Sequence, residues 1–186
     1  SIRLSLTLSA EGMDMGGVFP DGLQFLPALQ SLVVEYGNLD GSIPGSAVAQ
    51  LTNLKTLSVR HNKFRGAIPV ALLTLKNLQQ LDLSHNSFEG ALPAGLHTLP
   101  LETLDLSHNQ FTGTIADSLG ASTTLTALRL NGNAFVGNIP SMVCDLALPL
   151  LETDCSPSAL GGGEITCGCC TGCCNSSGEQ CTPTTQ

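Results

Sequence analysis

Along most of this chain, apolar and polar residues alternate in short bursts that return at a fixed interval. LSVRHNKFRGAIP begins at Leu57, LDLSHNSFEGALP at Leu81, LDLSHNQFTGTIA at Leu104 and LRLNGNAFVGNIP at Leu128, with starts 24, 23 and 24 residues apart. Self-similarity at such a period marks a solenoid, in which each repeat stacks on the next. Upstream, LVVEYGNLDGSIP at Leu32 and the degenerate LSAEGMDMGGVFP at Leu8 extend the register to six copies, and a truncated seventh starts at Leu151. Within each copy, pairs such as Leu57/Val59 and Leu81/Leu83 alternate with polar neighbours, the period-two pattern of a half-buried strand. Each coil therefore predicts one short strand of a parallel sheet.

The other regular columns predict the rest of the coil. Asn62, Asn86, Asn109 and Asn133 recur at one position, where a buried amide can satisfy backbone groups of its own turn and of its neighbour. Two residues on lie Met15, Leu39, Phe64, Phe88, Phe111 and Phe135, an apolar stripe that belongs to the core. The glycines Gly17, Gly41, Gly66, Gly90, Gly113 and Gly137 precede Phe, Ile or Leu by two places, and Pro follows in five of six copies, Ala116 being the exception. Gly permits a tight bend and Pro fixes φ, so this segment predicts an ordered, partly extended turn. Segments such as LLTLKNL at Leu72 to Leu78 return the chain with the spacing of a short helical or 3₁₀ turn.

Together these columns read LxxLxLxxNxFxGxIPxxLxxLxx over roughly residues 5 to 155, which resembles the plant-specific class of leucine-rich repeat. That class is found in ectodomains of receptor kinases, in receptor-like proteins and in polygalacturonase inhibitors. The resemblance implies an α/β repeat fold: a curved right-handed solenoid with a concave parallel sheet, a mostly irregular or 3₁₀ convex side, and partners on the sheet. The paired-cysteine N-terminal cap common in plant ectodomains is absent. The expected organisation is a degenerate first repeat and N-terminal edge over 1–28, repeats over 29–143, a disulfide-rich cap over 144–181 and a tail over 182–186.

Composition narrows the function. With 15 acidic against 7 basic residues the net charge is -8, which disfavours a nucleic-acid role, since a phosphate backbone calls for clustered Lys and Arg. The local exception is Lys55, Arg60, Lys63 and Arg65, a contact patch or simply solvated surface. No apolar run has the length of a membrane span.

All eight cysteines, Cys144, Cys155, Cys167, Cys169, Cys170, Cys173, Cys174 and Cys181, fall in the last 43 residues. A solenoid leaves its last apolar coil open, and a short tail can cover it when cross-links limit the entropy of the unfolded tail. An even count in a Gly-, Ser- and Thr-rich segment reads as a disulfide cap. The competing assignments of CGCCTGCC are a zinc or iron-sulfur site and a redox-active C-x-x-C. Less specifically, the cap resembles those of secreted or receptor-like leucine-rich-repeat proteins of algae such as diatoms, which implies an oxidising compartment. Asn175 opens the only N-x-[ST] sequon, a glycosylation candidate in a secreted chain.

Candidate binding residues lie in the variable letters of the strands. One column reads Val33, Ser58, Asp82, Asp105, Arg129 and Glu152, and the next reads Glu35, Arg60, Ser84, Ser107 and Asn131. Asp82 and Asp105 fall near the 5–5.5 Å spacing of a retaining glycosidase's carboxylates, but an open face offers little desolvation to separate their pKa values. No catalytic residue, cofactor or metal is assigned. His61, His85 and His108 form a further column, whose imidazoles could share a metal ion or oppose one another's protonation. The expectation is a non-enzymatic module, secreted or extracellular-facing, binding a protein, peptide or glycan through Glu35, Arg60, His61, Asp82, His85, Asp105, His108 and Arg129. The alternative is a structural subunit of a larger cell-wall, matrix or organelle-lumen complex.

Overall fold

The computed structural model describes residues 4–9, 16–20, 22–154, 165–174 and 181–183. Its main feature is a nine-stranded sheet. Leu4–Ser9, Leu29–Glu35, Thr56–Ser58, Gln80–Asp82, Thr103–Asp105, Ala127–Arg129, Leu150–Asp154 and Gly172–Cys174 lie in that order and run parallel, and Cys181–Pro183 closes the sheet antiparallel. Leu32, Leu57, Leu81, Leu104, Leu128 and Leu151 are mutually in register. They point into one continuous core and are buried, because no single coil can cover its own apolar face.

The first copy departs from the expected register. Leu6, rather than Leu8, pairs with Leu32, and Leu8 pairs with Val34. Gly17 nevertheless keeps its place, since its carbonyl accepts the Asp40 N–H of the next coil as the Gly113 carbonyl, four coils further on, accepts the Val136 N–H. The first coil therefore carries two more residues between strand and Gly than the spacing predicts. Side-chain period rather than length is what strand pairing preserves, so a two-residue shift keeps the same face inward.

The residues just before the expected Gly-to-Pro turn are themselves paired. Asp40–Gly41, Lys63–Gly66, Ser87–Gly90, Gln110–Gly113 and Ala134–Phe135 form a second, five-stranded parallel sheet. The Gly column ends the first four of these short strands, and from Gly41 to Gly137 it has φ between 80° and 91°, a region costly for any residue with a Cβ. The return segments are single turns: 3₁₀ at Leu23–Phe25, Val70–Thr74, Leu96–Thr98 and Asp117–Ala121, and four-residue α at Gly45–Val48 and Ser141–Cys144. Pro44, Pro69 and Pro140 stand extended at the start of three of them, and Ala116 takes the same conformation where Pro is missing.

Between the sheets, Phe64, Phe88, Phe111 and Phe135 stack through the core with centroids 6.1–6.2 Å apart. Each ladder Asn brackets two coils. Asn109 is buried; its Oδ1 accepts the Phe88 N–H, and its Nδ2 donates to the carbonyls of Leu83, Leu106 and Ser107. Asn62, Asn86 and Asn133 repeat the pattern. At the C-terminal end, Cys144 is joined to Cys169 and Cys167 to Cys170, and Cys173 and Cys174 are also disulfide-bonded. Among the described residues no cysteine is free, so neither a thiolate metal site nor a reduced C-x-x-C is formed there. Cys155, Asn175 and the side chain of Cys181 lie outside the described residues. The cap extends the sheet as well as covering it: Thr171 exchanges hydrogen bonds with Leu151, and Gly172–Cys174 pairs with residues 152–154.

Candidate functional site

Strand pairing puts one candidate column in unbroken register, with Val33, Ser58, Asp82, Asp105, Arg129 and Glu152 as direct neighbours in turn. At its far end Arg129 bridges two carboxylates, with Nε 2.9 Å from Glu152 and Nη1 3.4 Å from Asp105. At the near end Ser58 donates to Glu35 at 2.7 Å, and Arg60 reaches both Glu35 at 3.2 Å and the Tyr36 hydroxyl at 3.1 Å. Asp82 and Asp105 occupy the middle.

These two carboxylates have internal work. Asp82 Oδ1 accepts the N–H and the hydroxyl of Ser84, and Asp105 Oδ1 does the same for Ser107. Burial pushes the Asp82 carboxyl above its ordinary range, with Asp105 adding to the effect against the two bonds from Ser84. The second column is accordingly not a uniform recognition surface. Glu35 and Arg60 are half-exposed, but Ser84, Ser107 and Asn131 are buried.

A column one position earlier completes the face. Ser31, Thr56, Gln80 and Thr103 are paired neighbours, and Thr56, Gln80 and Thr103 line the same shallow concavity as Glu35, Asp82, Asp105 and Arg129. Sequence reading passed over them, although the period-two alternation points to them: a residue immediately before an inward Leu faces outward as surely as the one after it.

The histidine column forms a continuous stack on the surface. His61 and His85 stack at 4.1 Å between centroids, His85 and His108 at 4.2 Å, and Tyr36 adds a fourth ring 4.4 Å from His61, every pair 12° from parallel. All four residues are left-handed, with φ of 53–56°, uncommon for side chains other than Asn, Asp and His. Gly132 ends the row, because a Cβ there would lie 2.9 Å from His108 Nδ1. Parallel rings direct their in-plane lone pairs side by side rather than to one point, so they do not form a shared metal site. No group of three metal-ligating side chains gathers among the described residues. Covered ring faces, with His108 and His61 on either side, push His85 down to about 4, and burial next to Arg60 lowers His61. Tyr36 was the member the sequence hid, since it replaces His in an imperfect copy.

A parallel solenoid bearing a polar concave face and no enclosed reaction centre among its described residues has the build of a recognition surface. A leucine rich repeat profile matches residues 27–88 and a second matches 100–122. No curated protein matches. Among solved structures, the leucine-rich-repeat ectodomain of the receptor kinase SOBIR1 from Arabidopsis thaliana is 31% identical with a TM-score of 0.63, the match covering 74% of this chain and 73% of that one. The plant peptide hormone receptor RGFR1, solved with RGF2, is 31% identical with a TM-score of 0.73 over 88% of this chain and 24% of its own. A plant ice-binding protein is 30% identical with a TM-score of 0.70 over 84% of this chain and 48% of its own. The chain belongs to the leucine-rich-repeat family. It spans only 24%, 17% and 48% of the first three similar structures. Among the described residues no helix is long and apolar enough to cross a membrane.

Proposed function

We propose that the chain is a non-enzymatic, secreted or extracellular-facing recognition module that binds a peptide or protein segment across its concave sheet. The observation that carries this reading is the unbroken row from Ser58 through Asp82 and Asp105 to Arg129, polar side chains on adjacent strands lining one concavity. Fixed charges of both signs along such a row select a partner by complementarity more than by apolar area. Similar ectodomains were solved with peptide hormones, which supports a peptide over a glycan. The disulfides at Cys144–Cys169 and Cys167–Cys170 and the cap's resemblance to secreted algal proteins support an oxidising compartment.

Capture from the native extracellular fraction on immobilised chain, read by mass spectrometry, tests this. The wild type is expected to retain a partner that Arg129→Gln loses while its unfolding midpoint moves by no more than about 4 °C, the shift that roughly 1 kcal/mol produces at this size. Retention of the same partner by the variant would remove the concave face from the reading.

An assembly subunit docked through the first coil is the second reading, favoured by Phe25 at 79% and Val18 at 61% exposure there, large apolar side chains that water does not favour. Light scattering separates the two: a monomer supports the module, a defined oligomer or persistent complex the subunit.

A further inference from the structure

We propose that Tyr36, His61, His85 and His108 form an acid-sensitive strap along one edge of the concave sheet, stacked near pH 7 and forced apart by imidazolium charge in acid. The strap joins four successive coils at a single backbone position, and its contacts are ring faces at 4.1–4.4 Å. A neutral imidazole gains from such a contact on both faces. A protonated one loses solvation there and meets its neighbour's charge at the same distance.

The surroundings decide the balance. His61 faces Tyr36 and Glu35 of the preceding coil, Asp82 and His85 of the following one, and Arg60 beside it in sequence, with Lys63 in the same groove. His85 faces His61 and Arg60 on one side, and His108 and Asp105 on the other. The carboxylates of Glu35, Asp82 and Asp105 favour protonation, but each already has a partner: Glu35 holds Arg60, Asp82 holds Ser84, and Asp105 holds Ser107 and Arg129. Cations and covered faces prevail at the central ring, consistent with the downward displacement of His85.

The backbone ties the rings to the sheet. The N–H groups of His61, His85 and His108 donate to Ser84, Ser107 and Asn131 carbonyls of the next coil. Unstacking therefore acts directly on the joint between coils, beside Glu35 and Arg60. At neutral pH this edge is closed and smooth; in acid it carries repelling charges and opens.

An NMR titration of the histidine ring protons from pH 8 to pH 4 tests the strap in the unmodified chain. His85 is expected to titrate at least tenfold more acidic than an ordinary histidine, with the ring-current shifts of Tyr36 collapsing over the same interval. In His85→Phe, which keeps a planar ring without the charge, the Tyr36 shifts should persist to lower pH than in the wild type. Titration of His85 at its ordinary pH, or Tyr36 shifts that stay constant down to pH 4, would overturn the proposal, and neither outcome depends on a ligand.

Discussion

Two stacks of rings run through the same coils, three residues apart in sequence. Imidazoles of His61, His85 and His108 lie 4.1–4.2 Å apart, whereas the phenyl rings of Phe64, Phe88 and Phe111 lie 6.1–6.2 Å apart. Both rows rise from backbones hydrogen-bonded at ordinary strand spacing, about 4.8 Å, so the difference lies in how the side chains leave the backbone and pack rather than in how far apart the coils stand. The lesson is that one repeat makes two kinds of contact: apolar packing that can be filled by volume, and a closer face-to-face contact between flat rings at the surface.

The largest break in this comparison comes from the core. Phe88→Ala should cost about 3–5 kcal/mol in urea unfolding, while His85→Ala at pH 7 should cost about 1 kcal/mol; equal losses would mean that both stacks are structural in the same sense. Next in size is Asn109→Ala, expected to cost roughly 3 kcal/mol because one N–H and three carbonyls lose their partner in a buried site. Amide hydrogen exchange at Phe88, whose N–H is held by Asn109, should accelerate before global unfolding does.

A smaller effect sharpens the surface side. Because the folded His61 and His85 are held below the ordinary histidine value, the neutral form is the one the native state favours. Their contribution is present above about pH 6.5, the ordinary histidine value, and is lost as pH falls from there toward 4. The wild-type melting temperature should therefore fall more steeply across that interval than that of His85→Phe; parallel curves would assign the loss to other groups. Smallest of all, Arg129→Gln should change stability by no more than about 1 kcal/mol, since its two ion pairs are partly solvated, and thermal melts will show whether that limit holds.

Much of the coil was legible in the residues. Leu57, Asn62, Phe64, Gly66 and Ile68 each have one duty, repeated, and repetition exposes a duty that physics imposes on every copy. The second sheet was not legible, because its strands are two to four residues long and owe their existence to pairing with neighbours. The shift to Leu6 was hidden for the same reason: the degenerate first copy satisfies both registers equally well on paper, and only the partner strand chooses. Within the candidate site, the Asp82–Asp105–Arg129 neighbourhood followed from strand register, whereas the internal bonds to Ser84 and Ser107 did not, since a serine two residues after an aspartate reads the same whether it is bonded or solvated.

By itself the sequence determined a unit: strand, amide bracket, aromatic core position, glycine bend and return turn, all enforced within about two dozen residues. Only the tertiary structure decided how closely equivalent rings of successive units approach, and it decided differently at 4.1 Å on the sheet edge and 6.1 Å in the core. Ring-to-ring distance is a property of two repeats packed together, fixed by side-chain volume as well as by the backbone hydrogen bonds that join the coils. No single repeat contains it, and with it come the stacked histidines, the bridging arginine and the shape of the concave face.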